Sequence, residues 1–106
     1  MSTDCIFCKI AKRQVPAVVL AENDHSFIVK DRAPVASQHV LVIAKEHSSD
    51  ITKAAESESV LDLAVKYGES NMPDGFRIVV NTGDDAGQTV KHFHMHVLGG
   101  EKLKDL

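Results

Sequence analysis

Between Lys91 and Val97 the sequence reads Lys-His-Phe-His-Met-His-Val, with His92, His94 and His96 alternating strictly with Phe93, Met95 and Val97. In an extended strand successive side chains point to opposite faces. The three imidazoles therefore share one face while the apolar residues enter a core. The plain reading is a half-exposed strand whose polar residues happen to be histidine. Ser, Thr or Lys would serve solubility equally well, and three aligned residues out of 6 histidines in 106 residues is a rare accident. A second reading is a catalytic metal site. At about 3.4 Å per residue the alpha carbons of His92 and His96 stand roughly 13–14 Å apart. Ligand bonds of about 2 Å then leave room for a pair of rings on one ion, with a third ligand from elsewhere, but not for all three. In a third reading one imidazole is a nucleophile or general base. Histidine titrates near pH 6.5, so neighbouring rings at neutral pH include proton donors and free lone pairs. That suits phosphoryl chemistry: a neutral ring attacks phosphorus, its neighbours neutralise the oxyanion, and a phospho-histidine divides one hard displacement into two. The loop just upstream, with Gly83, Gly87, Gln88 and Thr89, offers backbone N–H groups and a hydroxyl to the same phosphate.

A second constellation is Cys5-x-x-Cys8, half of a tetrahedral metal site. The alternatives are reduced, unligated thiols and a redox pair, although no strand precedes the motif as in thioredoxin-like sites.

These residues need a scaffold. Cys5 to Gln14 favours a short helix with Ile6, Phe7 and Ile10 on one side, closed by Pro16. Val18 to Glu22, Ser26 to Lys30 and His39 to Lys45 read as antiparallel strands, separated by the Asn23-Asp24 turn and by the loop holding Pro34. Ser49 or Asp50 caps a helical region in which Val60, Leu61, Ala64, Val65 and Gly68 form a stripe of period near 3.6. Asn71 to Gly75 turns into a strand over Phe76 to Asn81, and Val90 to Leu98 is the last strand. The expectation is a single α+β domain over residues 1–106: an antiparallel sheet of about five strands with two helices.

Composition narrows the function classes. Hydrophobic residues make up 43% and charged residues 25%, enough for a packed core and too apolar for a disordered chain. Fifteen acids against 12 Lys and Arg give a net charge of -3, and no run of like charge reaches four residues. A nucleic acid polymer or an anionic membrane is therefore not an expected partner. No apolar stretch approaches the roughly 18 residues of a membrane span. Met1-Ser2-Thr3-Asp4 lacks the features of a secretory signal, so the expected compartment is the cytoplasm, where the cysteines stay reduced.

The run His92-Phe93-His94-Met95-His96-Val97-Leu98 resembles the signature of the histidine triad (HIT) family, His-φ-His-φ-His-φ-φ with φ hydrophobic. The resemblance extends over Cys5-Ile6-Phe7-Cys8-Lys9-Ile10, Val15-Pro16-Ala17, His39 to Ile43, Val79-Val80-Asn81, Gly87-Gln88-Thr89-Val90 and Gly99-Gly100. These segments are similar to the nucleotide-binding, phosphoramidase branch. The resemblance implies a HIT-like fold and a homodimer that binds a purine nucleoside monophosphate or its conjugates. It implies cleavage of phosphorus–nitrogen or related bonds through a nucleotidyl-histidine. The middle histidine, His94, would be the nucleophile, His96 the phosphate contact and His92 the support of the array. His39 would hydrogen-bond near the nucleophile and Thr89 would serve the leaving group. Asn81, Gly87 and Gln88 would contact the phosphate region and Asp31 the ribose hydroxyls, with Phe7, Ile10 and Val15 as walls of the base pocket. For those apolar residues a core role stands beside this one, and Asp31 in Asp-Arg-x-Pro also suits a turn.

Relatives with the same opening are similar in adding a downstream and a triad histidine to the cysteines, which gives Cys5, Cys8, His47 and His92 as ligands of a structural zinc and no catalytic metal. His25 reads as plain surface. The sequence departs from the family in having no Trp and in carrying Arg32 where a small or apolar residue is usual, which opens the question of leaving-group and nucleoside preference. The alternatives carried forward are a dinucleoside polyphosphate hydrolase, a non-catalytic nucleotide-sensing module, and a metal-dependent hydrolase with His92 and His94 as ligands.

Overall fold

The computed structural model describes residues 5–106. Helix α1 (Ile6–Ala11) is capped by Cys5, whose sulfur accepts the Cys8 N–H at 3.4 Å. It is shorter than the expected Cys5–Gln14. Its last turn closes as the Lys12 and Arg13 N–H groups bond to the Cys8 and Ile10 carbonyls, and Arg13 turns to φ 59°. Phe7 and Cys8 are its buried residues, whereas Ile6 stays 38% exposed.

Among the described residues five strands form one antiparallel sheet: β1 (Ala21–Glu22), β2 (Ser26–Lys30), β3 (Gln38–Ala44), β4 (Phe76–Val79) and β5 (His94–Gly99), in the order β1-β2-β3-β5-β4. The expected α+β architecture is the observed one. Helix α2 (Ser57–Asn71) covers one face. Asp50 does cap a turn, through Thr52 N–H at 2.8 Å, but that turn is a separate 3-10 segment, Ile51–Lys53. Along α2, Val60, Ala64 and Gly68 are buried as expected. Leu63 takes the place given to Leu61, which is 45% exposed, because the buried line runs along i, i+3, i+4 and i+8.

Both sheet faces are covered, so β2 and β3 read as nearly continuous apolar runs. Ile28, Val40, Val42, Met95 and Val97 pack with α2, while Phe27, Val29, Leu41 and Ile43 pack with Phe7 of α1. With a period of two, this parity assigns His94 and His96 of β5, His39 of β3 and the end of β2 at Asp31 to the α1 face.

Four strands differ from their expected bounds, β3 only by a shift of one residue, from His39–Lys45 to Gln38–Ala44. Only Ala21–Glu22 of the first run pairs with β2, leaving Val18 78% exposed at the sheet margin. The fourth strand ends at Val79 rather than Asn81. The last ladder begins at His94, opposite Ile43, rather than at Val90. Just before it the Phe93 N–H bonds to the Ser48 carbonyl at 2.8 Å, so the chain around His92 is held by the segment after β3 instead of by a regular strand partner.

Gly68 sets how closely α2 approaches β4: a Cβ there would lie 2.6 Å from the Phe76 ring. Gly68→Ala gains up to about 1 kcal/mol of helix propensity and incurs an overpacking cost of about 1–3 kcal/mol. The expected result is a net destabilisation on the order of 1 kcal/mol, read as a lower denaturant midpoint with an unchanged slope.

Candidate functional site

A cleft of about 720 Å³ opens on the α1 face, with Phe7, Ile10, Val29 and Leu41 among its apolar walls and Asp31, Asn81, Thr89, His94 and His96 among its polar ones. His94 is 8% exposed. Its Nδ1 lies 2.7 Å from the His92 carbonyl oxygen, which can only accept, so Nδ1 carries the proton and Nε2 the lone pair. The Phe7 ring meets the His94 ring edge-on, with centroids 5.0 Å apart. Burial lowers the His94 pKa against the opposing hydrogen bond to the His92 carbonyl and the charge of Asp31, and so keeps the ring neutral.

His96 stands 5.2 Å from His94, centroid to centroid. Its state follows from a chain of donors. The Val35 N–H donates to His39 Nδ1 at 3.2 Å, which leaves the His39 proton on Nε2. That Nε2–H lies 2.9 Å from His96 Nδ1, which accepts, so the His96 proton is on Nε2. Burial first, then the neighbouring His94 and His39, push the His96 pKa down to about 4 against the pull of Asp31. At neutral pH His94 is thus a ring with a free Nε2 and His96 a neutral N–H donor beside it.

His92 does different work. Its ring is fully buried and its Nε2–H donates to the Ala44 carbonyl at 2.6 Å. The free Nδ1 faces Cys5 Sγ at 3.3 Å, Cys8 Sγ at 3.5 Å and His47 Nδ1 at 3.1 Å, and Cys8 Sγ lies 3.2 Å from His47 Nδ1. Tetrahedral bonds of about 2.0 Å to nitrogen and 2.3 Å to sulfur require edges of about 3.3–3.6 Å. These four side chains could therefore hold a metal ion, and the bond from Nε2 to a carbonyl is the outer contact that orients a ligating imidazole. Burial and then Cys5 raise the Cys8 pKa, a shift that a bound cation reverses by stabilising thiolate. Asp31, His39 and His96 also bring ligand-type atoms within 4.8 Å of one another. There, however, both His39 nitrogens are committed, one accepting from Val35 and one donating to His96, with the Asp31 carboxylate 3.3 Å from His39 Nε2.

Of the residues singled out in the sequence, His94, His96, Asp31, Asn81, Gly87, Gln88, Thr89, Phe7 and Ile10 all border the cleft. Val15 does not: it borders a neighbouring hollow with Arg13 and Val19. Gln88 turns its polar groups into its own loop. Its Oε1 accepts the Gly83 N–H, its Nε2 donates to the Ser49 and Val90 carbonyls, and its N–H bonds to the Gly83 carbonyl. The Gly87 N–H is likewise taken by the Asp84 carbonyl, and Gly87 serves the turn at φ 80°. His39 bonds to His96, the ring beside His94. His92 and His94 present their free nitrogens to different surroundings, so the pair does not form a shared ligand set. His25 sits beside Glu56 at 3.8 Å, its side chain 48% exposed. Leu20 and Pro16, which also border the cleft, were not anticipated as cleft residues, because Leu20 was read as part of the first strand and Pro16 as the end of the first helix. Among the described residues no helix is long and apolar enough to cross a membrane.

An antiparallel sheet that presents two imidazoles of a His-x-His-x-His run to a cleft, with the first of the three buried beside two cysteines, fits a histidine triad protein. The HIT domain model matches residues 12–103. An uncharacterized HIT-like protein of Synechococcus elongatus is 41% identical, over 97% of this chain and 96% of its own length. A HIT family hydrolase from Clostridium thermocellum is 35% identical and superposes with a TM-score of 0.89, covering 100% of this chain and 98% of that one. A histidine triad protein from Clostridium difficile is 34% identical with a TM-score of 0.90 over the same shares. The chain belongs to the HIT family.

The buried triad carries a pH signature. A histidine whose folded pKa lies below its unfolded value near 6.5 leaves stability whole above pH 6.5 and lowers it as the unfolded chain takes up protons that the folded one refuses. For His96 the window runs from about pH 6.5 to about 4 and amounts to at most on the order of 3 kcal/mol. Denaturation curves at pH 7, 5.5 and 4.5 should show stability falling with acid, and His96→Asn should flatten the fall.

Proposed function

We propose that the protein is a single-domain nucleotide-binding hydrolase that cleaves nucleoside phosphoramidates, or related nucleoside 5′-phosphate conjugates, through a nucleotidyl-histidine at His94. The observation that carries this reading is the Nδ1–H bond from His94 to the His92 carbonyl, which leaves a neutral lone pair at a cleft large enough for a nucleotide. His94 Nε2 attacks phosphorus, the bond from phosphorus to the leaving nitrogen breaks, and that nitrogen takes a proton from solvent water, to which the attacking water of the second step returns one. Water then attacks the phosphorus, the bond to Nε2 breaks, and nucleoside monophosphate is released with His94 restored. The His96 Nε2–H supplies hydrogen bonding to the phosphoryl oxygen as charge grows there. Thr89 and Asn81 at the cleft wall serve the leaving group and the phosphate region. The apolar walls suit a purine ring.

Zinc is the metal that the mixed sulfur and nitrogen donor set at Cys5, Cys8, His47 and His92 fits. When bound it would supply a structural cross-link, since four protein ligands leave no position for water. β4 is an edge of the five-stranded sheet, a place where a second copy would extend the ladder, and that supports the homodimer reading.

His94→Ala should lower release of nucleoside monophosphate from a nucleoside phosphoramidate by about three orders of magnitude or more while nucleotide binding persists. Rapid quench followed by mass spectrometry should catch a gain of one nucleotide on the wild-type chain. Tight binding with neither turnover nor that adduct would favour the sensing reading, and preferential cleavage of dinucleoside polyphosphates the other hydrolytic one. Metal analysis should find one zinc per chain, lost in Cys5→Ser/Cys8→Ser together with part of the thermal stability. Loss of turnover on chelation with the fold intact would contradict a purely structural ion.

A further inference from the structure

Arg32 stands at the far end of the cleft from the reacting pair. Leu41 of β3 lies opposite His96, and Val29 of β2 lies opposite Leu41, so the three side chains make one row across three strands. β2 is two strand spacings from β5, roughly 10 Å. A nucleotide with its phosphorus at His94 therefore carries its base over Leu41 and Val29 toward the end of β2. The walls there are apolar, Phe7, Ile10 and Leu20 among them, and the charged residues that border them are Lys30, Asp31 and Arg32. Lys30 has the strand parity of Ile28, which packs with α2, so its side chain leaves from the opposite face of the sheet. Arg32 follows the end of the strand, in a turn closed by the Ala33 N–H on Asp31 Oδ1 at 2.8 Å. The other Asp31 oxygen lies 3.3 Å from His39 Nε2. Arg32 is exposed and, among the described residues, takes part in no ion pair.

We propose that Arg32 determines base specificity, selecting nucleotides of a 6-oxopurine, guanine or hypoxanthine, over those of adenine. A guanidinium has N–H donors arranged as a planar fork and no acceptor. Guanine and hypoxanthine present two adjacent acceptors, O6 and N7, which two N–H groups of the fork meet together. Adenine carries an amine in place of O6, so one donor of the fork faces another donor and loses its water without gaining a partner. The hydrocarbon walls hold either ring and leave the choice to its edge. An extra phosphate on the sugar is the weaker occupant of this corner, because it would meet the Asp31 carboxylate as well, whose side chain is 17% exposed.

This inference deepens the nucleotide-hydrolase reading above and rests on it for where the base lies. Calorimetry with GMP, IMP and AMP on the full chain tests it. GMP and IMP should bind about tenfold more tightly than AMP, in the lower part of the range for a bidentate base contact because the guanidinium is exposed. In Arg32→Leu the gap should close to within about twofold, through loss of GMP and IMP affinity. Arg32→Lys keeps the charge without the fork and should lose most of the preference as well. Equal affinities on the wild-type chain, a preference for AMP, or a gap that survives in Arg32→Leu overturns the proposal. So does an equal loss for all three ligands, the mark of general anchoring, and so does a guanosine bisphosphate that gains affinity through Arg32, the mark of an anion site. Preferential binding without turnover of any nucleoside phosphoramidate sinks the hydrolase reading and leaves the base selection standing. Turnover that does not choose between guanosine and adenosine phosphoramidates does the reverse, and absence of binding by all three nucleotides overturns both.

Discussion

The registration of β3 against β5 is the constraint on which the rest of the molecule depends. Leu41 lies opposite His96 and Ile43 opposite His94, while Val40 and Val42 lie opposite Val97 and Met95. One face of this pairing is filled by α2 and the other by α1, so a slip of one residue would drive imidazoles into the packing with α2 and bring Met95 and Val97 to the cleft. The apolar residues that interleave with the histidines are what make the register costly to change. Packing energy on one face thereby fixes polar geometry on the other.

Within that frame two groups of similar composition take opposite chemical characters. His92 gives its proton to a carbonyl and turns a lone pair toward two thiols and another imidazole. His39 receives a backbone N–H on one nitrogen and passes a proton to His96 from the other. Residue type alone would class both as ligand sets. The backbone group that each ring meets determines which one offers lone pairs to a cation and which one conducts hydrogen bonding. Desolvation then lowers the pKa of both cleft rings and holds them neutral at neutral pH.

The sheet, its two helices and the shared face of the histidines were legible in the sequence because they rest on period-two and period-3.6 patterns that local chemistry enforces. His94, His96 and the cysteine pair were legible for the same reason. What the pattern did not carry was register and the fate of individual polar groups. Nothing along the chain says that Gln88 closes its own loop or that Val15 falls outside the cleft, since both follow from where α1 stops and how the loop folds back. The true start of β5 at His94 was hidden because the alternation of apolar residues continues past the point at which the ladder begins. The link from His39 to His96 spans 57 residues and depends on strand order, β3 beside β5, which no local spacing encodes.

His92 contributes to the reacting centre through its main chain and to the cysteine cluster through its ring. A carbonyl is common to all amino acids, so the group that orients the His94 ring survives any replacement at this position as long as the chain keeps its course. Genetic drift can erase the cluster without erasing the seat of His94. The two assemblies are thus separable although they share a residue.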